Sequence, residues 1–258
     1  MASIEQAILL GIIQGITEWL PISSSAHLAL AQMLFGLETD IALDLALHIG
    51  TLAAVLIYFR NDIIALFKDT LLCRPEQCNY ALAIFASLIP TAIIGFAFKD
   101  FFESMFASLW HLAAALLVTG ALLLSTTLVK FGTRTPTLRD SLLIGIAQGI
   151  AVAPGISRSG STIATALFLG IKPIEAARFS FLISILPVLG AGILEVGGAL
   201  SAQADPLPLA VGTLASAVVG YLSIGALLSL MRTTGIHIFG YYCIALAAAL
   251  CALIYIGL

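Results

Sequence analysis

Charge is what this 258-residue sequence has least of: 10% of its residues are Asp, Glu, Lys or Arg, where a soluble domain carries about 25%. That scarcity excludes an ordinary water-facing surface. The 11 basic residues are scattered and the formal net charge is −3, so no basic stripe exists to track a nucleic acid backbone. Nucleic acid is excluded as a partner. The 4 cysteines are too few for a disulfide framework. Cys73 and Cys78 flank one loop with no histidine near them, and Cys243 and Cys251 lie in an apolar stretch. The opening Met1-Ala-Ser-Ile-Glu5 lacks the basic region of a signal peptide, so the first apolar segment is expected to stay in the mature protein.

What is there is apolar: 60% of the residues are hydrophobic. Six stretches, about 41–59, 79–98, 107–129, 177–197, 208–231 and 237–257, have the roughly 20 apolar residues a bilayer core requires. Residues 4–35 and 141–171 are apolar too, but each is interrupted, at Glu18-Trp-Leu-Pro-Ile-Ser-Ser-Ser-Ala-His27 and at Pro154-Gly-Ile-Ser-Arg-Ser-Gly160. Each reads as a helix, a break and a helix returning to the same side. Broken backbone at membrane depth is tolerated only where it is buried in protein or lines a watery cavity. Both breaks are therefore expected to point inward.

A constant offset of 134 residues relates the two interrupted segments: Gly11-Ile-Ile-Gln-Gly-Ile16 falls on Gly145-Ile-Ala-Gln-Gly-Ile150, Ile22-Ser23 on Ile156-Ser157, Ser25 on Ser159, and Phe35-Gly-Leu37 on Leu169-Gly-Ile171. The expected fold is an all-α integral membrane protein, one membrane domain over 1–258, made of halves at about 1–133 and 134–258. Each half is one re-entrant hairpin followed by three spans. An odd number of crossings makes the second half enter from the opposite face, an inverted repeat. Charge agrees: with Arg60, Lys68 and Arg74 cytoplasmic, Lys130, Arg134, Arg139, Lys172, Arg178 and Arg232 share that side, Lys99 lies outside and Arg158 within a break. Both termini then face the exterior.

The breaks hold the chemistry. Gln14 and Glu18, four apart, share one helix face. Ser23, Ser24 and Ser25 follow Pro21 and are expected to cap the returning helix, whose N-terminus attracts anions. His27 lies three residues after Ser24, on its face, so a carboxylate, a hydroxyl and an imidazole are expected in one small volume. In the second break Arg158 stands between Ser157 and Ser159, with Gly155 and Gly160 permitting close backbone approach. A planar permanent cation suits bidentate capture of phosphate. The alternatives are that the serines bond back to their own helices, that Glu18 only pairs with Arg158, and that His27 is a satisfied interior residue. Against them, an ionisable residue inside a membrane is by default functional. Asp44 and His48, also four apart, are either outer residues that orient His27 or Arg158, or a local pair. Trp19 reads as an interfacial or packing aromatic, and Glu175 with Arg178 as a solvated cytoplasmic pair.

At these residues the sequence resembles the undecaprenyl-diphosphate phosphatase family, also known as the bacitracin-resistance proteins. That family's signature is Glu-x-x-x-Glu running into Pro-x-Ser-Ser-x-x-His, with a second Pro-Gly-x-Ser-Arg-Ser-Gly segment. Here they stand as Gln14-Gly-Ile-Thr-Glu18, Pro21-Ile-Ser-Ser-Ser-Ala-His27 and Pro154-Gly-Ile-Ser-Arg-Ser-Gly160; Ser180 and the region ending at Gly50 also look familial. The resemblance implies hydrolysis of undecaprenyl diphosphate in the bacterial plasma membrane, at a site open to the exterior, recycling the carrier for peptidoglycan and conferring bacitracin resistance. It implies Glu18, Ser24, His27 and Arg158 as catalytic and Gln14, Ser23, Ser25, Ser157, Ser159 and Gly160 as substrate-binding. Ser24 is the expected nucleophile and His27 the variant one. Gln14 departs from the family's acidic position: an amide neither ionises nor holds a cation as a carboxylate does. No metal ligand set is assigned, and stimulation by Mg²⁺ or Ca²⁺ stays open, as does a homodimer. An inverted-repeat transporter or flippase is the competing reading.

Overall fold

The fold is described from a computed structural model over residues 2–37, 40–72, 75–106, 108–201 and 205–255, with the backbone alone for 75–77 and 195–201. Cys73 and Arg74, named above, lie outside the described residues. The chain is helical: α1 (Ile4–Trp19), α2 (Ser24–Leu34), α3 (Ile41–Tyr58), α4 (Arg60–Leu71), α5 (Pro75–Ala97), α6 (Lys99–Met105), α7 (Leu109–Ser125), α8 (Leu138–Ile150), α9 (Arg158–Phe168), α10 (Pro173–Ser201), α11 (Pro206–Leu230) and α12 (Ile238–Tyr255). Among the described residues the only extended pairing is an isolated bridge between Arg134 and Ile171.

Six helices are long and apolar enough to cross a bilayer, at Ile41–Tyr58, Cys78–Ala97, Leu109–Leu128, Pro173–Leu194, Pro206–Leu230 and Ile238–Tyr255. These are the six stretches expected from hydropathy, shifted by a few residues at their ends. Ile93, Phe96, Leu194 and Leu222 stand exposed along them, as lipid-facing side chains do. α4 and α6 were not anticipated. They are short connecting helices that carry Arg60, Asp62 and Lys68, and Lys99, Asp100 and Glu103.

The interrupted segments become two pairs of short helices. α1 has 16 residues and α8 has 13, each followed by an 11-residue helix; at 1.5 Å per residue the longest is about 24 Å, short of a ~30 Å hydrocarbon core. α1 starts with a capping box, in which Gln6 N donates to Ser3 Oγ and Ser3 N to Gln6 Oε1. It stops before Pro21, which biases Leu20 to the extended conformation it adopts. α2 and α9 end alike: Gly36 and Gly170 take positive φ of 64° and 79°. Leu37 N then reaches Gln32 O, and Ile171 N reaches Ala166 O, the six-to-one closure a left-handed glycine allows.

Small residues set the packing. A Cβ on Gly11 would lie 2.5 Å from Gly212 O and one on Gly15 2.8 Å from Gly220 N, so α1 lies directly against α11. Gly145 and Gly149 bring α8 equally close to α5, against Ser87 and Ile94. Membrane helices gain little from apolar burial between themselves and rely on such close van der Waals approach. A core of Trp19, Phe59, Ile144, Ile163, Phe179, Phe181, Ile183 and Leu227 fills the centre. Outside the six spans, Asp140 caps the start of α8 and pairs with Arg134, whose guanidinium also reaches Leu169 O. Hydrogen bonding to Arg134, aided by Thr137, holds the Asp140 carboxyl down at about 2.

Candidate active site

The two breaks touch. Gly155 N donates to Ser25 Oγ at 3.2 Å, Ser159 Oγ donates to Leu20 O at 3.2 Å, and a Cβ on Gly160 would stand 3.2 Å from Pro21 Cβ. Between them opens a cavity of about 270 Å³ lined by Thr17, Glu18, Ser23, Ser24, Ser25, Leu45, His48, Thr91, Gln148, Ala151, Val152, Ile156, Ser157, Arg158, Pro187, Val188, Ala191 and Gly192. Its walls come from α1, α8, the two breaks with the starts of α2 and α9, and the spans α3, α5 and α10.

Glu18 is the hub. Its Oε2 accepts from Ser24 Oγ at 2.7 Å and from Gln14 Nε2 at 3.2 Å; its Oε1 accepts from Arg158 Nη2 at 2.5 Å. Both ions are buried, the side chains 8% and 16% exposed. Arg158 also lies over the Trp19 ring, 5.4 Å from its centroid. Trp19 is itself buried edge-on against Phe181, a packing aromatic and not an interfacial one. Arg158 Nη1 is buried without a hydrogen-bond partner among the described residues. An orphaned guanidinium N–H is costly, and a phosphate oxygen would satisfy it.

The serines differ in what they do. Ser157 caps α9, its Oγ accepting from Gly160 N at 3.1 Å, while its own N–H donates to Thr119 Oγ1. Ser23, its counterpart in the repeat register, begins α2 at φ +70° and makes no side-chain cap bond. Its hydroxyl meets Ser25 Oγ at 3.1 Å. The cap expected from the three serines is therefore absent, and among the described residues no side-chain cap bonds the first N–H groups of α2. Ser159 is 1% exposed and bonds to backbone, away from the cavity lining; Gly160 contributes a close approach and the capped N–H.

The histidines depart from expectation. His27 does not line the cavity. Its Nδ1 bonds the Ser23 carbonyl at 2.7 Å, so Nδ1 carries hydrogen, and its Nε2 meets the Tyr242 hydroxyl at 2.7 Å with the two rings stacked. The imidazole that shares the cavity with Glu18 and Ser24 is His48, whose Nε2 lies 4.0 Å from Glu18 Oε2. Its Nδ1 donates to the Asp44 carbonyl at 2.8 Å, while the Asp44 carboxylate accepts from Gln32 at 2.7 Å. Gln14 is fully buried behind Glu18 and outside the lining.

Sequence reasoning missed Thr91, which holds Gln148 Nε2 at 3.2 Å, Thr119, which ties Gly155 O to Ser157 N, and Tyr242. Each arrives by tertiary packing, with no local signal. Ser180 bonds Thr162 Oγ1 at 2.6 Å, fixing α9 on α10. Arg178 pairs with Asp62 as well as Glu175, beside a separate cavity that also holds Arg232.

A model of the family described as bacitracin resistance protein BacA matches residues 7–249. Relatives from Halothermothrix orenii, Methanosphaera stadtmanae and Rubrobacter xylanophilus, each described as an undecaprenyl-diphosphatase, are 44%, 41% and 40% identical to this chain. The alignments cover 92%, 94% and 98% of this chain and 93%, 95% and 99% of those proteins.

Proposed function

The chain belongs to the bacitracin resistance protein BacA family, and from that membership we propose how its cavity works. The protein is a multi-pass membrane enzyme that hydrolyses undecaprenyl diphosphate to undecaprenyl phosphate and phosphate. It recycles the lipid carrier and so confers bacitracin resistance.

One observation carries the assignment of the site: a serine hydroxyl, its carboxylate acceptor and a partly unpartnered arginine meet at one cavity beside an uncapped helix N-terminus. In our reading the diphosphate enters with its terminal phosphate between the start of α2 and Arg158. The first N–H groups of α2 and the guanidinium then hold the oxygens on which charge collects during transfer. Ser24 Oγ attacks the terminal phosphorus and Glu18 takes its proton, a transfer for which the 2.7 Å contact is already in place. The P–O bond to the lipid phosphate breaks and undecaprenyl phosphate leaves. Water then releases phosphate from Ser24. His27 is assigned a positioning role: its bond to Ser23 O supports the φ +70° turn that aims the next residue, Ser24, at Glu18. Ser23, Ser25 and Ser157 bound the anion site, and Ser159, Gly160 and Gln14 hold its walls.

The two short-helix pairs are proposed to be re-entrant hairpins of an inverted repeat. Supporting this are their lengths, their matching glycine closures, and the exchange by which α1 packs on α11 while α8 packs on α5. With the basic residues inside, the Ser24 cavity opens to the exterior of the bacterial plasma membrane, the leaflet where spent carrier is released. Among the described residues no three His, Cys, Asp or Glu side chains cluster, and a Mg²⁺ held by one or two carboxylates takes its further ligands from substrate phosphate and water. Stimulation by Mg²⁺ or Ca²⁺ is proposed to act through the substrate's diphosphate.

The test is phosphate release from undecaprenyl diphosphate by purified protein in detergent, where no compartments exist. Wild type should turn over and Ser24→Ala should not. Full activity in Ser24→Ala would remove serine as nucleophile, and transport in vesicles without hydrolysis would replace the enzyme with a carrier.

A further inference from the structure

Three groups that line the cavity carry or exchange a charge: Glu18, Arg158 and His48. The reaction proposed above needs two proton acceptors. When Ser24 attacks, its proton passes to Glu18, which is then a carboxylic acid and must return that proton to Ser24 Oγ as the phosphoserine breaks. It cannot at that moment also deprotonate the water that breaks it. Arginine does not act as a base at any ordinary pH. Gln14, four residues before Glu18, is an amide, and His27 has both ring nitrogens engaged away from the cavity.

We propose that His48 is a catalytic residue of this site, the base that takes a proton from the hydrolytic water in the second half of the reaction. The geometry assigns its tautomer. Nδ1 donates to the Asp44 carbonyl, one helical turn earlier on α3, so a neutral ring carries its lone pair on Nε2. That nitrogen lies 4.0 Å from Glu18 Oε2, too far for a hydrogen bond, and has no other hydrogen-bond partner among the described residues. The side chain is 37% exposed, and the ring belongs to the cavity lining. Asp44 thus does for His48 what an outer carboxylate often does, through its carbonyl oxygen: it fixes the tautomer and the ring orientation.

The step balances. A water O–P bond forms and the Ser24 Oγ–P bond breaks; the water proton goes to His48 Nε2, and Glu18 returns its proton to Ser24 Oγ. Inorganic phosphate leaves, and the imidazolium gives its proton to solvent as the cavity empties. Glu18, with Arg158 behind it, is the charged group facing the ring from α1.

This inference rests on the serine mechanism above, and the experiment separates the two. Purified enzyme is mixed with undecaprenyl diphosphate labelled in its terminal phosphate. His48→Ala should release undecaprenyl phosphate in a burst of about one per enzyme and retain the label on Ser24. Steady turnover should fall by about 10²–10⁴-fold, the usual worth of a general base. Added imidazole should restore turnover in proportion to its basicity, which a merely structural histidine would not permit. His48→Asn keeps an amide N–H for the Asp44 carbonyl, so it should melt like wild type and show the same burst. Wild-type turnover in both variants, or joint loss of burst and turnover in the well-folded His48→Asn without imidazole rescue, would overturn the assignment. If instead Ser24→Ala turns over and wild type never carries label, the serine mechanism itself is at fault.

Discussion

Arg158→Gln and Glu18→Gln, singly and together, test whether these two buried ions hold the breaks together. The pair has side chains 16% and 8% exposed with the donor and acceptor 2.5 Å apart. Removing the arginine charge leaves Glu18 ionised inside the protein with only Ser24 and Gln14 as donors, and breaking one partner of a buried pair costs about 3–5 kcal/mol. Removing the carboxylate leaves a buried guanidinium whose Nη1 is already orphaned. The Trp19 face offsets this by roughly 1–2 kcal/mol, so Glu18→Gln should be the milder of the two. The double variant buries two neutral amides and should recover part of the loss, giving a coupling energy of about 2–3 kcal/mol. Reversible unfolding in mixed micelles, followed by Trp fluorescence, reads all four corners of the cycle. Single effects that add to within about 0.5 kcal/mol would refute the reasoning. The breaks would then be held by packing and by contacts such as Gly155 N to Ser25 Oγ.

Asp140 gives a pH signature outside the membrane spans. Its carboxyl is held at about 2 against an ordinary 3.8, so its contribution is fully present above pH ~5 and is lost as pH falls through about 2. The melting temperature of wild type should drop across that window, while Asp140→Asn should start lower and vary less there; parallel profiles would deny the pairing with Arg134 a stabilising role. Gly50→Ala would drive a methyl group into Ser216 Oγ and Thr213 O, separating α3 from α11 at a cost of about 1–3 kcal/mol or more; an unchanged melting temperature would show that the helices sit further apart. Gln14→Glu should make turnover in chelator fall relative to turnover with Mg²⁺ or Ca²⁺, because a second carboxylate then faces the Glu18 charge. If wild type already loses its activity in chelator, a cation is needed whatever stands at position 14.

Hydropathy alone placed the six spans, because crossing a bilayer imposes one length and one composition on every such helix. The meeting of Glu18, Ser24 and Arg158 was legible for a related reason: an interrupted apolar segment must bury its open backbone, and two interruptions in one register have one interior to share. Helical spacing put His27 in the cavity, and it does not line it, because such spacing is local evidence. Three residues do put His27 on the Ser24 side of α2, but Tyr242, 215 residues away, takes its Nε2, and the Ser23 carbonyl takes its Nδ1. His48 reaches the cavity only because α3 packs beside α1 and α11, which no motif encodes. The serines make the same point within the repeat. Ser23 and Ser157 are identical in register, yet Ser157 has ordinary extended backbone and caps its helix, while Ser23 has φ +70° and does not. The difference follows from what comes next. Arg158 is anchored by Glu18 at the start of a helix capped by Ser157, whereas Ser24 turns its hydroxyl back to the same carboxylate from the start of a helix that Ser23 does not cap. In the shared register the first break, Glu18 to His27, matches its counterpart at Ile22, Ser23 and Ser25 and differs elsewhere, so one position carries a hydroxyl in the first break, Ser24, and a guanidinium in the second, Arg158.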